Sequence, residues 1–554
     1  MIWRSLFRRL FHRKPANGGA LITPGRDEAA PASLIEAARR LADERHFDQA
    51  RHVCDEIIGH DPGDEKAWLL LSRIHKEQGN PAAAKAALDK VIELYPNLAE
   101  AYFLRGKIFQ ARRALKSALR DYLRAAEIDP LMIKAHTSQG AVHYLLDEFE
   151  KALECTRRVL RLDPDNVAAS LNQGLMLREL GCAEDAENTL RRAVARHPGD
   201  HDARCGLAMV MIDQGRFEEA EQHLNTVLTA DPSHNEACWL LGVAGLARGR
   251  FREGWQHYGS RLRRGDAEAR PYGFPEWDGT RQPGTVLVYA EQALGDDILF
   301  ASCIPDVMAR VAHCVIECEP RLAEIFRRSF PAATVHGSKH KSQPVWLAGA
   351  PAVSAQIAAG SLPGLFRNEW ADFPHHQGYL VADTNKVHRW RARLAALGPG
   401  LKVGIAWTGG AVKTRRRIRS IALSELLPVL GVPGAQFVSL QYVESVAEID
   451  AISAAYGRQV HHWQEAIADY DETAALVTAL DLVISVCTAV VHLSGALGKQ
   501  VWVMAPSSPE WRYLRTGDRL PWYPSARVFR QQRAGDWSPV IASVAAEIER
   551  QLQS

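Results

Sequence analysis

The chain contains 554 residues, which is more than one hydrophobic core supports, so several domains are expected. Its composition is 47% hydrophobic and 24% charged with a net charge of +2, which is typical of a globular protein and lacks the basic excess of a nucleic-acid-binding chain. No apolar run reaches the roughly 18 residues of a membrane-spanning helix. The nine cysteines form no C-x-x-C pair, which indicates reduced thiols in the cytoplasm and no metal site.

Residues 1–30 are predicted to form a basic amphipathic tail and a linker. Five apolar side chains of residues 1–14 share one face of a helix: Trp3, Leu6, Phe7, Leu10 and Phe11. Such a helix can lie on the inner face of an anionic membrane, which would make the protein peripheral there. A frayed basic tail explains the same residues, because one short helix binds a membrane only marginally.

A repeat organises residues 31–268. Six prolines recur at a spacing of 34 residues: Pro62, Pro96, Pro130, Pro164, Pro198 and Pro232. Two slots in each period hold small residues: Gly106, Gly140, Gly174 and Gly242 in one, and Ala118, Ala152, Ala186 and Ala220 in the other. This is the period and pattern of tetratricopeptide helix pairs. The pattern predicts an α-solenoid of about seven units.

The end units and the faces of this array suggest its use. The first unit lacks the aromatic and glycine signals, and the last ends in Trp255 and Tyr258, so both are interpreted as caps. Such stacks present a concave surface that holds a protein or peptide partner. A rigid spacer without a ligand is the alternative.

The chain changes character after the linker 269–284, which is rich in proline and glycine. Strands are predicted at 286–290, 313–318, 402–407, 436–440, 482–486 and 500–504, and helices at 296–311, 321–329 and 471–480. This alternation predicts parallel sheets. We expect two Rossmann-like lobes, an acceptor-side lobe at 285–395 and a donor-side lobe with a closing helix at 396–554. Ligands of such sheets bind beyond the carboxyl ends of the strands, so the loops there carry the candidate site.

The first loop contains Gly295, Asp296 and Asp297 at the start of a predicted helix. The two carboxylates suit the first turn, where they cap the helix and complement its dipole. Alternatively, one of them faces the cleft as a general base that takes a proton from an acceptor hydroxyl.

The second loop follows the strand 402–407 and begins Thr408-Gly409-Gly410. It carries five basic residues: Lys413, Arg415, Arg416, Arg417 and Arg419. Backbone N–H groups and guanidinium groups at a strand end suit a diphosphate. A solvated basic loop is the other interpretation.

The third loop joins the strand 482–486 to a helix that carries Thr488, Ala489 and His492. Free N–H groups at a helix start bind phosphate well, and Thr488 can cap the helix or bond a phosphate oxygen. A single helical histidine such as His492 is, by itself, more often a packed core residue.

Together these loops resemble the ADP-heptose:lipopolysaccharide heptosyltransferase superfamily, glycosyltransferase family 9. The resemblance is carried by Gly295-Asp296 with the distal Pro305, by Arg419-Ser420-Ile421, and by the run 479–498. The segments 291–296, 509–512, 521–524, 529–531 and 535–537 extend it to bacterial tetratricopeptide-repeat proteins with such a domain at the C-terminus. It covers nearly all of residues 31–550.

This resemblance implies a GT-B fold, inversion at the anomeric carbon, and no metal or cofactor besides the nucleotide-sugar donor. It implies Asp296 as the general base. It also implies that Lys413 or an adjacent arginine contacts the donor phosphates and that Thr488 and His492 line the donor site. With the loops described above, the candidate donor-binding residues are Gly295, Thr408, Gly409, Lys413, Arg415, Arg417, Arg419, Thr488, Ala489 and His492. Four further candidates have no assigned role: Asp297, Gln441, Cys487 and Glu510.

One position departs from the family, which usually has Asp-Thr where this chain has Cys487-Thr488. A neutral thiol does not replace a carboxylate as an acceptor for donor hydroxyls. Either the donor differs from heptose or the domain is catalytically weakened. A third interpretation is a thiolate of low pKa at the helix start.

The favoured function is a glycosyltransferase that modifies a protein or cell-surface glycan acceptor recruited by the repeats. The alternative is a weakened, transferase-like scaffold that binds partners through the repeats. In a third hypothesis only the repeats matter, and a truncated chain of residues 1–268 retains function.

Overall fold

The structure, a computed structural model, describes residues 31–264, 272–338, 345–349, 352–410 and 415–553. They divide into two compact units, one that ends at Ala203 and one that begins at Arg204. The predicted amphipathic segment 1–14 and Lys413 lie outside the described residues. None of the described helices is long and apolar enough to cross a bilayer.

Consecutive helix pairs build the unit that ends at Ala203. Their bounds are α1 (Pro31–Asp43), α2 (Phe47–His60), α3 (Glu65–Glu77), α4 (Pro81–Leu94), α5 (Ala99–Ala111), α6 (Leu115–Ile128), α7 (Ile133–Leu145), α8 (Phe149–Leu162), α9 (Val167–Glu179) and α10 (Ala183–Arg196). The second helix of each pair ends just before the residue that precedes a repeated proline, and two of these residues, Asp61 and Asp129, are extended. Because a residue before proline is kept out of the helical region, the repeated prolines set these ends. The predicted repeat is confirmed.

The paired helices approach closely at the predicted glycines. A Cβ on Gly106 would lie 2.7 Å from the Tyr122 ring, and one on Gly174 would lie 2.5 Å from the Leu190 side chain. A larger residue at either slot would push the helices apart.

The unit from Arg204 onward starts within α11 (His201–Gln214). It continues through α12 (Phe217–Ala230), α13 (Asn235–Ala247) and α14 (Phe251–Tyr258). The last pair was predicted to be a cap, but Trp255 and Tyr258 are buried against Trp511, each with its ring centroid 5.4 Å from that of Trp511. The aromatic residues of α14 therefore join the repeats to the following α/β module.

The first sheet of this module has four parallel strands in the order β3-β2-β1-β4 among the described residues. These are β1 (Gln282–Tyr289), β2 (Val311–Cys318), β3 (Thr334–Gly337) and β4 (Val353–Ala358). Helices accompany them: α15 (Leu294–Ala301), α16 (Ile304–Met308), α17 (Ala323–Ser329), α18 (Leu362–Phe366) and α19 (Thr384–Ala395).

The second sheet has the order β10-β11-β9-β8-β5-β6-β7, and β10 alone is antiparallel to its neighbour in the described part of the chain. Its strands are β5 (Leu401–Ala406), β6 (Ala435–Ser439), β7 (Val460–His461), β8 (Leu482–Val486), β9 (Val501–Ala505), β10 (Arg519–Leu520) and β11 (Tyr523–Arg530). Its helices are α20 (Leu427–Leu430), α21 (Val446–Tyr456), α22 (Gln464–Ala468), α23 (Tyr470–Ala479), α24 (Ala489–Ala496) and α25 (Ser538–Gln553). Ile405, Ile484 and Trp502 belong to its buried core.

One predicted helix is wrong in its extent. The segment 296–311 folds as two short helices, because Pro305 lies in the first turn of α16 and cannot donate a backbone hydrogen bond to a continuing helix. The parallel α/β character predicted for the second half of the chain is confirmed.

Candidate functional site

The loops after β1 and β8 meet in the α/β module. A Cβ added to Gly295 would lie 3.1 Å from Cδ2 of His492 and 3.5 Å from Cα of Ala489. Gly295 is thus the position where the first sheet's loop approaches the start of α24. Three residues predicted from two separate motifs are therefore neighbours in the structure.

Asp296 is buried in the first turn of α15 beside this contact. Its Oδ2 accepts the Ala293 N–H at 3.2 Å, and its Oδ1 forms an ion pair with Nη2 of Arg512. Burial raises the pKa of Asp296, although Arg512 opposes the shift. The carboxylate therefore makes the predicted first-turn hydrogen bond, and its raised pKa makes it a stronger base than an exposed aspartate.

Asp297 has a different environment. It accepts the backbone N–H of Glu319, which follows β2, at 3.0 Å. Burial raises the pKa of Asp297 well above its usual value. This side chain links α15 to the end of β2, so Asp296 is the better candidate base.

A chain of ion pairs continues from Asp296. Arg512 Nη1 lies 3.4 Å from Oε2 of Glu510, and Arg419 Nη1 lies 3.3 Å from its Oε1. The same Arg419 nitrogen donates to the carbonyl of Cys487 at 3.1 Å. Burial would raise the pKa of Glu510, but Arg419 and Arg512 outweigh it and lower that pKa. Glu510 is therefore an ionised carboxylate between two guanidinium groups.

The start of the basic loop is fixed by the neighbouring strand end. Gln441 is buried after β6, and its Oε1 accepts the N–H groups of Trp407 and Thr408, each at 3.2 Å. The Gly409 N–H donates to Ser420 Oγ at 3.0 Å, and a Cβ on Gly409 would lie 2.6 Å from Cβ of Arg419. Only glycine allows the two ends of this loop to come so close.

The arginines of the basic loop have unequal environments. Arg415 has a left-handed backbone (φ 58°), and its Nη1 lies 3.0 Å from Asp213 of α11 and 3.3 Å from Ser508 Oγ. Arg417 is exposed. Since Arg415 and Arg419 both have carboxylate partners, the loop is not the cluster of five solvated cations that one of the two sequence interpretations assumed.

Thr488 and Cys487 lie at the start of α24. Thr488 Oγ1 accepts the Val490 N–H at 3.2 Å and lies 3.1 Å from Ser485 Oγ, so this threonine caps the helix. The Cys487 side chain is fully buried, and burial raises the pKa of its thiol to about 12. The interpretation of Cys487 as a thiolate of low pKa is therefore wrong, because burial favours the neutral thiol. All nine cysteines are free.

His492 is a buried, neutral imidazole between two phenols. Its Nδ1 lies 3.1 Å from the Tyr523 hydroxyl and its Nε2 lies 3.3 Å from the Tyr513 hydroxyl. Burial, with a contribution from Arg512, lowers the pKa of His492 to about 3. The ring therefore adds no charge to the site and acts as a packing and hydrogen-bonding group.

This histidine makes stability depend on pH. Its pKa of about 3 in the folded chain lies below the ordinary 6.5 of the unfolded chain, so its stabilisation is complete above pH 6.5 and is lost as pH falls toward 3. We expect His492→Gln, which cannot titrate, to lose less free energy of unfolding than the wild type over that interval, as measured by urea denaturation at each pH. The exposed control His388→Gln should follow the wild type. Parallel pH profiles for wild type and His492→Gln would contradict this account.

Residues that the motifs did not single out complete the site. Arg512 pairs with Asp296, and Gln292 accepts from both Arg512 (3.5 Å) and the Tyr258 hydroxyl (3.1 Å). Arg261 pairs with the buried Glu291 at 2.8 Å. The segments 291–296 and 509–512 were noted for their resemblance, and that was the available signal for Glu291, Gln292 and Arg512.

Comparison with known proteins supports the repeats. Models of the tetratricopeptide repeat match residues 41–108, 133–166 and 177–252. The chain is 31% identical over 309 residues to Protein FlbA of Caulobacter vibrioides, a match that covers 52% of this chain and 51% of that protein. The chain thus spans about half the length of this relative. Aryl-hydrocarbon-interacting protein-like 1 of Bos taurus is 41% identical over 58 residues, or 10% of this chain and 17% of that protein.

Solved structures also show likenesses. One is YrrB, described as a TPR protein with an unusual peptide-binding site, with 20% identity, a TM-score of 0.30, and coverage of 33% of this chain and 95% of that chain. Another is a tetratricopeptide repeat protein from Parabacteroides merdae, with 16% identity, a TM-score of 0.37, and coverage of 44% and 94%.

Proposed function

We propose that the chain is a glycosyltransferase of the GT-B type. It would move a sugar from a nucleotide-diphosphate sugar to a protein or cell-surface glycan acceptor. The observation that supports this most is the position of Asp296, a buried carboxylate with a raised pKa, at the contact between Gly295 and the start of α24. The repeats would recruit the acceptor in the cytoplasm through a protein or peptide surface.

The proposed reaction is a single displacement. Asp296 takes the proton of an acceptor hydroxyl while that oxygen forms a bond to C1 of the sugar and the bond from C1 to the donor phosphate breaks. The nucleoside diphosphate leaves with the electron pair. Arg419, the neighbouring basic loop and the N-terminus of α24 would stabilise its charge. Inversion and independence of metal come from the family resemblance alone.

A catalytically weakened scaffold is the second candidate. Two observations favour it: Cys487 stands where the family has aspartate, and the candidate base is paired with Arg512. A scaffold would bind a partner through the repeats but would not consume a nucleotide sugar.

A thermal-shift screen against ADP, GDP, UDP and CDP, their sugars, and CMP-linked sugars tests the donor site. A ligand present at 100 times its Kd should add about 2.7 kcal/mol to the stability of the unit that binds it. We expect one base to be preferred and the shift to disappear in Arg419→Ala. Arg252→Ala, which removes an exposed arginine paired with Glu369, should keep the shift. If no nucleotide shifts the folded wild type, the glycosyltransferase proposal is wrong.

A further inference from the structure

Arg512 is held by two carboxylates and an amide at the centre of the site. Its Nη2 pairs with Asp296 and lies 3.5 Å from Gln292 Oε1, and its Nη1 lies 3.4 Å from Glu510 Oε2. Its guanidinium carbon lies 4.7 Å from the centroid of the Trp511 ring. Only 12% of the side chain is exposed. The guanidinium therefore has several acceptors within reach and an aromatic face along which it can move.

The charged side chains of this cluster balance one another. The guanidinium groups of Arg419 and Arg512 offset the carboxylates of Asp296 and Glu510, and His492 is neutral. A diphosphate that enters brings several negative charges into a neutral, poorly solvated site. A guanidinium that turns from a carboxylate toward the phosphate oxygens would offset that charge, together with the basic loop and the N-terminus of α24.

The same pairing restrains Asp296. Both of its oxygens already have partners, Ala293 N–H and Arg512. A cation beside a carboxylate lowers its proton affinity and so weakens it as a base. Departure of the guanidinium would leave the Ala293 hydrogen bond and a free oxygen for the acceptor hydroxyl.

We propose that Arg512 is a positioning residue that keeps Asp296 in an ion pair until the diphosphate of a donor draws its guanidinium away. The inference rests on the proposed function, since it assigns the anion to that donor. This arrangement would allow Asp296 to act as a base only when the donor is bound. Because Gln292 also accepts from Tyr258 of α14, the last repeat contacts this switch.

Competition for one guanidinium has a measurable consequence. If Asp296 and a diphosphate compete for Arg512, Asp296→Asn should bind inorganic pyrophosphate about fivefold or more tightly than the wild type. Calorimetric titration of the full chain with pyrophosphate measures this. Glu510→Gln removes the other carboxylate beside Arg512, so it should also tighten pyrophosphate binding. It replaces Asp296→Asn in the test if that variant fails to fold. Asp297→Asn is the matched control, because Asp297 accepts from Glu319 instead, and it should leave the affinity unchanged.

The double variant Asp296→Asn/Arg512→Gln shows whether any gain in pyrophosphate affinity comes from Arg512. The tighter binding should vanish there if Arg512 is the contested group. Equal or weaker binding by Asp296→Asn, a gain that survives without Arg512, or no pyrophosphate binding by any of these proteins would overturn the inference. If pyrophosphate shows the Arg512-dependent gain but no nucleotide binds more tightly than pyrophosphate, the switch stands and the proposed function fails.

Discussion

Asp296→Asn is expected to slow sugar transfer by about 10²–10⁴-fold, the usual contribution of a general base. The amide has the shape of the carboxylate and can still accept the Ala293 N–H, but it cannot take the acceptor's proton. The fold and donor binding should therefore survive, with binding at least as tight as in the wild type. The measurement is kcat from release of the nucleoside diphosphate at saturating donor, with thermal unfolding recorded on the same samples.

Asp297→Asn is the matched control for this prediction. It removes a carboxyl from the same helical turn, but that carboxyl accepts a hydrogen bond from the backbone N–H of Glu319 and not from Arg512. Its kcat should stay close to that of the wild type. A rate for Asp296→Asn within about tenfold of the wild type would exclude Asp296 as the base.

The second large effect is expected from loss of the buried ion pair between Arg261 and Glu291, which should lower the free energy of unfolding. Arg261 and Glu291 are 5% and 1% exposed, and they join the end of the repeats to the loop after β1. Glu291 Oε1 also lies 3.3 Å from the Gly360 N–H, and Arg261 donates to Ser361 Oγ at 2.9 Å. Glu291→Ala should cost about 3–5 kcal/mol in the free energy of unfolding, because it leaves a buried guanidinium without its counter-ion. Urea denaturation measures the change.

Two comparisons show whether the effect comes from the buried charge. Arg252→Ala disrupts an ion pair whose partners are 62% and 66% exposed, so it should cost less than about 1 kcal/mol. The double replacement Arg261→Met/Glu291→Leu should recover most of the loss, because neither buried charge remains. Equal costs for Glu291→Ala and Arg252→Ala would show that this pair does not hold the repeats to the module.

The repeats were predictable because each rule involved is local. A proline restrains the residue before it, and a glycine slot permits close packing of neighbouring helices, so a fixed period revealed both. The rule for parallel sheets was also useful: candidate residues were expected beyond the carboxyl ends of the strands in both lobes, and Gly295 does lie against Ala489 and His492. Strand direction places each loop at the carboxyl end of its own sheet, and the packing of the two sheets brings the loops together.

The ion pairs were not predictable. Asp296 with Arg512, Arg415 with Asp213, and Arg261 with Glu291 each join segments that are distant in the chain and share no period. Their pairing depends on how the two sheets pack on each other and on how α11 and the end of the repeats pack on the α/β module, which no local pattern records. For the same reason the sequence predicts a cap at the aromatic end of the last repeat, where the structure has a junction with the α/β module.

This chain is proposed to consume a nucleotide sugar at Asp296. The most direct measurement is to incubate the purified full chain with each of the ADP-, GDP-, UDP-, CDP- and CMP-linked sugars and identify the nucleotide products by mass spectrometry. We predict that one donor is consumed slowly by hydrolysis without acceptor, that its free nucleotide accumulates, and that Asp296→Asn abolishes this while remaining folded. If the folded wild type consumes none of these donors, the claim is contradicted and the scaffold becomes the better account.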